Sequence, residues 1–139
     1  MKGARVGTSE ANLLPCYHVT FSPHGRIGAL WDEIEEEFNV SAREAGSRWG
    51  FTIHAMAAMP DHVHVLIEKS SHDELSKVVQ LLKGITSRRI GERFPELKLD
   101  MHSNHFWQKG YHYTRHDDSS LNAAVHYIEN QKKKAGLTE

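Results

Sequence analysis

Met59-Pro60-Asp61-His62-Val63-His64-Val65-Leu66-Ile67-Glu68 is the stretch on which the reading of this chain turns. Side chains alternate faces along a strand, so His62 and His64 project together while Val63, Val65 and Ile67 project to the other side. The valine side reads as core. Parallel imidazoles on a rigid strand can share one divalent cation, although His-x-His is also expected by chance in a chain with 11 histidines among 139 residues. Just upstream, Pro60 and Asp61 suit the centre of a type I turn, with proline fixing φ at the first position. That turn makes Phe51–Ala58 and the His62 stretch a hairpin. His54 could share the face of the histidine pair, but one strand histidine is more often simply packed or solvated.

Working outward, Cys16–Phe21 is rich in β-formers and stops at Ser22-Pro23-His24-Gly25, giving a first strand. Ile27, Leu30, Trp31, Ile34 and Phe38 then recur at helical spacing, and Glu33, Glu35, Glu36 and Glu37 read as a solvated acidic face. This helix runs on to about Trp49, with a possible break at Asn39-Val40-Ser41. Ser71-His72-Asp73-Glu74 has the form of a capping box ahead of a second helix with the stripe Leu75, Val78, Val79, Leu82 and Ile85, ended by Pro95. Residues 96–106 read as loop. Phe106–Thr114 supplies aromatic β-formers for a fourth strand, and Asp117-Asp118-Ser119-Ser120 offers caps for a last helix from Leu121 to about Lys134. Strand, helix, strand, strand, helix, strand matches an α+β, ferredoxin-like (RRM-like) βαββαβ antiparallel sheet, with the C-terminal helix added to it. If the valines meet the two helices, the histidines emerge on the free face, where the last helix can cover them.

Composition bounds the rest. The length fits one domain, taken as residues 15–134 between a flexible tail at 1–14 and a short tail at 135–139. No stretch resembles a signal peptide or a membrane span, so the default is a cytoplasmic protein without a membrane partner. The single cysteine, Cys16, excludes an internal disulfide and a cysteine-based zinc site, and is expected to fill the core. Net charge is −1, but it is unevenly spread: residues 1–68 hold 5 basic against 9 acidic side chains, and residues 69–139 hold 12 against 9. Lys83, Arg88, Arg89 and Arg93 lie close together on the second helix, a pattern suited either to phosphate contact or to an ordinary solvated face.

On the last helix, Leu121, Ala124, Val125 and Ile128 form the apolar stripe. Tyr127 lies off that stripe with Gln131 one turn later on the same side. A tyrosine can act as covalent nucleophile if a cation or base assists it, and a carboxamide oxygen beside two imidazoles makes a reasonable hard ligand set for Mg²⁺ or Mn²⁺. The plain alternative is a surface tyrosine ahead of a basic tail, Lys132-Lys133-Lys134.

Met59–Leu66, the stretch Leu82-Lys83-Gly84-Ile85-Thr86-Ser87-Arg88-Arg89, and Tyr127-Ile128-Glu129-Asn130-Gln131 together resemble the single-tyrosine HUH transposases of small bacterial and archaeal insertion sequences. The resemblance runs from about Tyr17 to Lys134. Lys132 to Leu137 is also similar to the tyrosine transposases associated with repeated palindromic sequences. The resemblance to the insertion-sequence transposases implies a ferredoxin-like homodimer in which His62, His64 and Gln131 hold the metal. It also implies that Tyr127 cuts single-stranded DNA, leaving a 5′-phosphotyrosine and a free 3′-hydroxyl that can later reseal a strand. No further cofactor is implied. Lys83, Arg88 and Arg89 are the expected DNA contacts, and hairpins at the element's ends the expected substrate. In that family the tyrosine helix often completes the partner subunit's site.

Two other classes compete. A histidine-triad hydrolase needs a third histidine where Leu66 stands. A non-catalytic or domesticated single-stranded nucleic-acid binder of the RNA-recognition type would share the fold order and stack bases on Trp107, Tyr111 and Tyr113.

Overall fold

The computed structural model describes residues 15–24, 28, 30–68, 74–97 and 106–134. Both expected tails and Ser71-His72-Asp73 of the expected capping box lie outside these residues, as does most of the expected 96–106 loop.

β1 (Cys16–Phe21) leads to α1 (Asp32–Trp49), β2 (Thr52–Met59) and β3 (His62–Glu68), followed by α2 (Leu75–Arg93) and β4 (His112–His116). Two C-terminal segments, α3 (Asp118–Glu129) and α4 (Gln131–Lys134), complete the order. The strands form one sheet in the order β2-β3-β1-β4, and every neighbouring pair is antiparallel. This is the arrangement expected of a βαββαβ chain.

Residues 60–61 form the tight connection of the hairpin, with Met59 opposite His62. Pro60 is fastened from outside by the Leu30 N–H, which donates to its carbonyl at 3.0 Å. At the end of α1, Gly50 takes a left-handed φ of 83° that closes the helix. A Cβ on Gly46 would lie 2.6 Å from the Phe51 carbonyl oxygen, so the chain can turn into β2 only past a glycine.

On one side of the sheet, Val19, Phe21, Val63, Val65 and Ile67 pack with Phe38, Ala42, Val78, Val79, Leu82 and Ile90 from α1 and α2. On the other side a smaller cluster joins Cys16, Ala55, Ala57 and Leu66 to Ala124 and Ile128 of α3. The helical stripe expected for the last helix is the one that packs.

Several boundaries differ from the sequence reading. The expected fourth strand is two separate pieces: Trp107 makes one isolated bridge to Pro23, and the strand itself begins at His112. Phe106 and Trp107 are core side chains, and Trp107 Nε1 donates to Thr86 Oγ1 at 2.9 Å. Asn39-Val40-Ser41 does not interrupt α1, because Ser41 is absorbed by donating its hydroxyl to the Glu37 carbonyl. Glu74 is the N-cap of α2, where it was expected three residues inside.

The last helix is broken at Asn130. There the Asn130 side chain donates to the His126 carbonyl and the Gln131 side chain to the Tyr127 carbonyl, both at 2.9 Å. The His126 carbonyl also accepts the Asn130 backbone N–H at 3.1 Å, so both amides fold back onto the last turn of the helix they end.

The acidic face of α1 is less solvated than expected. Glu37 is buried, 3.0 Å from Arg93 and 3.6 Å from Arg89, and Glu35 pairs with Lys132.

Candidate active site

The register fixes which side chains share the histidine face. Thr20 of β1 and Ala57 of β2 lie opposite His64, and His18 lies opposite Leu66. Hence His18, His62 and His64 rise from two adjacent strands on the same side, and α3 crosses above them.

Each imidazole is oriented by its neighbour. Asp61 Oδ1 lies 2.8 Å from His62 Nδ1, and His18 Nε2 lies 2.9 Å from His64 Nδ1. A carboxylate only accepts, so it draws the His62 proton to Nδ1 and leaves the Nε2 lone pair facing inward. His62 Nε2 and His64 Nε2 then converge to 3.2 Å. Two nitrogens bound at right angles to one cation are separated by roughly 3 Å, so this spacing suits a shared divalent ion.

Electrostatics favour the same use. Burial, reinforced by the charges of His18 and His62, pushes the His64 pKa down to about 4. Burial and then His116 lower that of His18. Neutral imidazole is the form that ligates metal, so His64 is held ready for a cation across the physiological range.

Tyr127 comes to this cluster from α3. Its ring centroid is 5.7 Å from that of His18 and 6.1 Å from that of His64, while the side chain remains 48% exposed. The tyrosine helix sits over the histidines of its own chain. Gln131 follows at the start of α4, half-buried, with its amide nitrogen on the Tyr127 carbonyl. The structure therefore gathers His62, His64 and Tyr127, and ties Gln131 to the tyrosine backbone.

The basic residues behave differently from one another. Arg88 is exposed on α2. Lys83 Nζ donates to the carbonyls of Gln108 and Gly110, and burial lowers its pKa. Arg89 is ion-paired with Glu44 at 2.5 Å.

Sequence reasoning missed two participants. His18 carries a parity signal, since Tyr17, Val19 and Phe21 alternate with Cys16, His18 and Thr20, but pairing with β3 is needed to bring it to His64. Asp61, read as a turn residue, also orients His62.

The geometry weighs against a base-stacking platform. Trp107 is core, and Tyr113 lies opposite Val19, a residue of the helix-side core, so it stands on the face away from the histidines.

The IS200-like transposase family profile matches residues 14–131, and the chain belongs to that family. The ISDra2 transposase TnpA of Deinococcus radiodurans is 26% identical over 118 residues, covering 85% of this chain and 84% of the relative. The IS200 transposase of Salmonella typhimurium is 28% identical over 96 residues, 69% of this chain and 63% of the relative. Among solved structures, one from Deinococcus radiodurans R1 assigned as a transposase superposes with a TM-score of 0.71 at 27% identity, covering 91% of this chain and 97% of that one. A REP-associated tyrosine transposase bound to a REP hairpin superposes with a TM-score of 0.66 at 14% identity, covering 97% of this chain and 76% of that one, which speaks to the fold alone. Among the described residues, no helix is long and apolar enough to cross a membrane.

Proposed function

We propose that this transposase cuts and rejoins single-stranded DNA through Tyr127. The observation that carries the reading is the approach of the Tyr127 ring to His18 and His64, beside the converging Nε2 atoms of His62 and His64. Tyr127 Oη attacks a backbone phosphorus and loses its proton. The phosphorus–O3′ bond breaks, giving a 5′-phosphotyrosine and a free 3′-hydroxyl. Attack by a 3′-hydroxyl reverses the step and releases the tyrosine, so strand joining needs no ATP. His62, His64 and Gln131 would hold Mg²⁺ or Mn²⁺, which supplies positive charge to the phosphate oxygens when bound. The Gln131 amide, bonded through its nitrogen to the Tyr127 carbonyl, would contribute its oxygen as the third ligand.

Arg88, exposed on α2, is assigned to the DNA backbone, and Lys83 and Arg89 contribute less because carbonyls and carboxylates already engage them. Lys83 also borders a groove of about 1000 Å³ that includes Gln80, Ser87, Lys109 and Tyr111, of a size to admit part of a folded DNA end. A DNA hairpin is the partner bound by the REP-associated structural relative, and we extend that substrate class to this chain. The working form is a homodimer: β4 is an edge strand whose residues are exposed or half-buried, open to a second copy.

The test is a denaturing gel of the protein with labelled single-stranded DNA from the gene's flanks. A metal-dependent, protease-sensitive adduct that disappears with EDTA or in Tyr127→Phe supports the reading. DNA binding without any adduct in Mg²⁺ or Mn²⁺ sinks it and leaves the non-catalytic binder.

A further inference from the structure

At the other end of the histidine face, three strands bring together a second set of ligands. Cys16 of β1 lies opposite Glu68 of β3, and Thr52 of β2 lies opposite Glu68 from the other side. The pairing of β2 with β3 slips between Ile53 and Ala55, and His54 falls in that irregularity. Its Nε2 lies 2.7 Å from Glu68 Oε1. Cys16 Sγ, a His54 ring nitrogen and a Glu68 carboxylate oxygen all lie within 4.8 Å of one another. Such irregularities are over-represented at sheet edges, as β2 is, and next to functional sites, where they re-aim a side chain.

We infer that Cys16, His54 and Glu68 form a second metal site, separate from the histidine pair and suited to a borderline-soft ion such as Zn²⁺. The donor set decides the ion: a thiolate, an imidazole and a carboxylate favour Zn²⁺, whereas two imidazoles and a carboxamide admit Mg²⁺ or Mn²⁺. The donor atoms, within 4.8 Å of one another, would have to close on the ion. On a tetrahedral ion with Zn–S of about 2.3 Å and Zn–N of about 2.0 Å, sulfur and nitrogen stand roughly 3.5 Å apart. His54 and Glu68 would part by roughly half an ångström to admit the ion.

Cys16 is 4% exposed, while the His54 and Glu68 side chains are 32% and 26% exposed, so the ion enters from the histidine and carboxylate side and water completes its shell. On binding, the Cys16 thiol gives its proton to solvent. Cys16 packs in the core as expected; a single cysteine rules out a multi-cysteine site but leaves this mixed one open.

Position gives the site its consequence. Cys16 belongs to the same packed cluster as Ala124 and Ile128 of α3. A metal clamping β1, β2 and β3 there stiffens the floor on which the tyrosine helix rests. Stabilisation follows by mass action, since the unfolded chain does not assemble the three ligands.

Cobalt tests this directly, because only thiolate ligation gives a near-ultraviolet sulfur-to-cobalt charge-transfer band and Cys16 is the single cysteine. The reduced, metal-free full chain is titrated with Co²⁺ and then with Zn²⁺. The inference expects the band to saturate at one equivalent, to be displaced by Zn²⁺, and to persist in the His62→Ala/His64→Ala chain. Cys16→Ser should abolish it. His54→Ala and Glu68→Gln, at partly exposed positions, should each weaken Co²⁺ binding by at least about 10–100-fold, the loss that even second-shell changes produce. Cobalt uptake without the band, no uptake at all, or undiminished affinity in His54→Ala overturns the site.

Discussion

On the helix side of the sheet, Val63, Val65 and Ile67 are each fully buried among α1 and α2, whereas the alternate residues of the same strand, His62, His64 and Glu68, face a cover only one helix wide. The first face is closed by Phe38, Leu82 and Ile90; the second by little more than Ala124 and Ile128. Apolar closure is thus concentrated where no chemistry is needed. The other face keeps enough packing to position α3 and leaves Tyr127 half exposed and His62 partly exposed. The cost is visible in His64, buried to 7% exposure with its charged form suppressed.

The sharpest separation of the two faces is Tyr127→Phe against Leu82→Ala. Tyr127→Phe should eliminate adduct formation while shifting stability by no more than about 0.5 kcal/mol, because the ring is half exposed. Leu82→Ala should cost about 2–5 kcal/mol of stability by leaving a cavity among fully buried side chains. Denaturant melts beside a cleavage assay read both; equal loss of stability in the two variants would erase the distinction.

A smaller effect is expected at the edge of the helix-side core. Glu37→Gln removes the carboxylate between Arg89 and Arg93, whose side chains are 35% and 44% exposed, so solvent limits the loss to about 1–2 kcal/mol. A melt unchanged by Glu37→Gln would return that carboxylate to the solvated face first expected.

Acid should act through the histidine face. The folded His64 pKa, about 4, lies below the ordinary 6.5, so the unfolded chain binds this proton more readily in between. Its contribution is complete above pH 6.5 and is lost as pH falls toward 4, with His18 acting in the same direction. Thermal midpoints measured across that window should fall less steeply in His64→Gln than in the parent chain. Parallel curves would refute the assignment.

The smallest difference is expected among the basic residues of α2. Arg88→Ala should reduce the slope of log affinity for single-stranded DNA against log salt by about one, and Arg89→Ala by less, because Glu44 already engages Arg89. A larger change in Arg89→Ala would mean that its ion pair opens on binding.

Much of this was legible in the chain because period-two and helical patterns report the faces directly. The Val63, Val65, Ile67 alternation and the Ala124, Ile128 stripe pack as their spacing requires. What escaped depends on contacts distant in sequence. His18 reaches His64 across 46 residues, and Trp107, read as part of a strand, is drawn into the core by its bond to Thr86. Glu35 and Glu37 looked solvated on their own helix, but their cationic partners come from α4 and α2. The break at Asn130 comes with two side-chain amides bonded back to the preceding turn, residues that a helical count treats as ordinary helix formers.

The central claim, that Tyr127 is the nucleophile beside the histidine pair, is tested most directly by locating the covalent bond. Protein incubated with 5′-phosphate-traceable single-stranded DNA and Mg²⁺ or Mn²⁺ is digested, and the nucleotide-bearing peptide is sequenced by mass spectrometry. The account predicts one modified residue, Tyr127, and no modified peptide after His62→Ala/His64→Ala. A nucleotide on Tyr17, Tyr111 or Tyr113, or an adduct that forms undiminished without the two histidines, would contradict it.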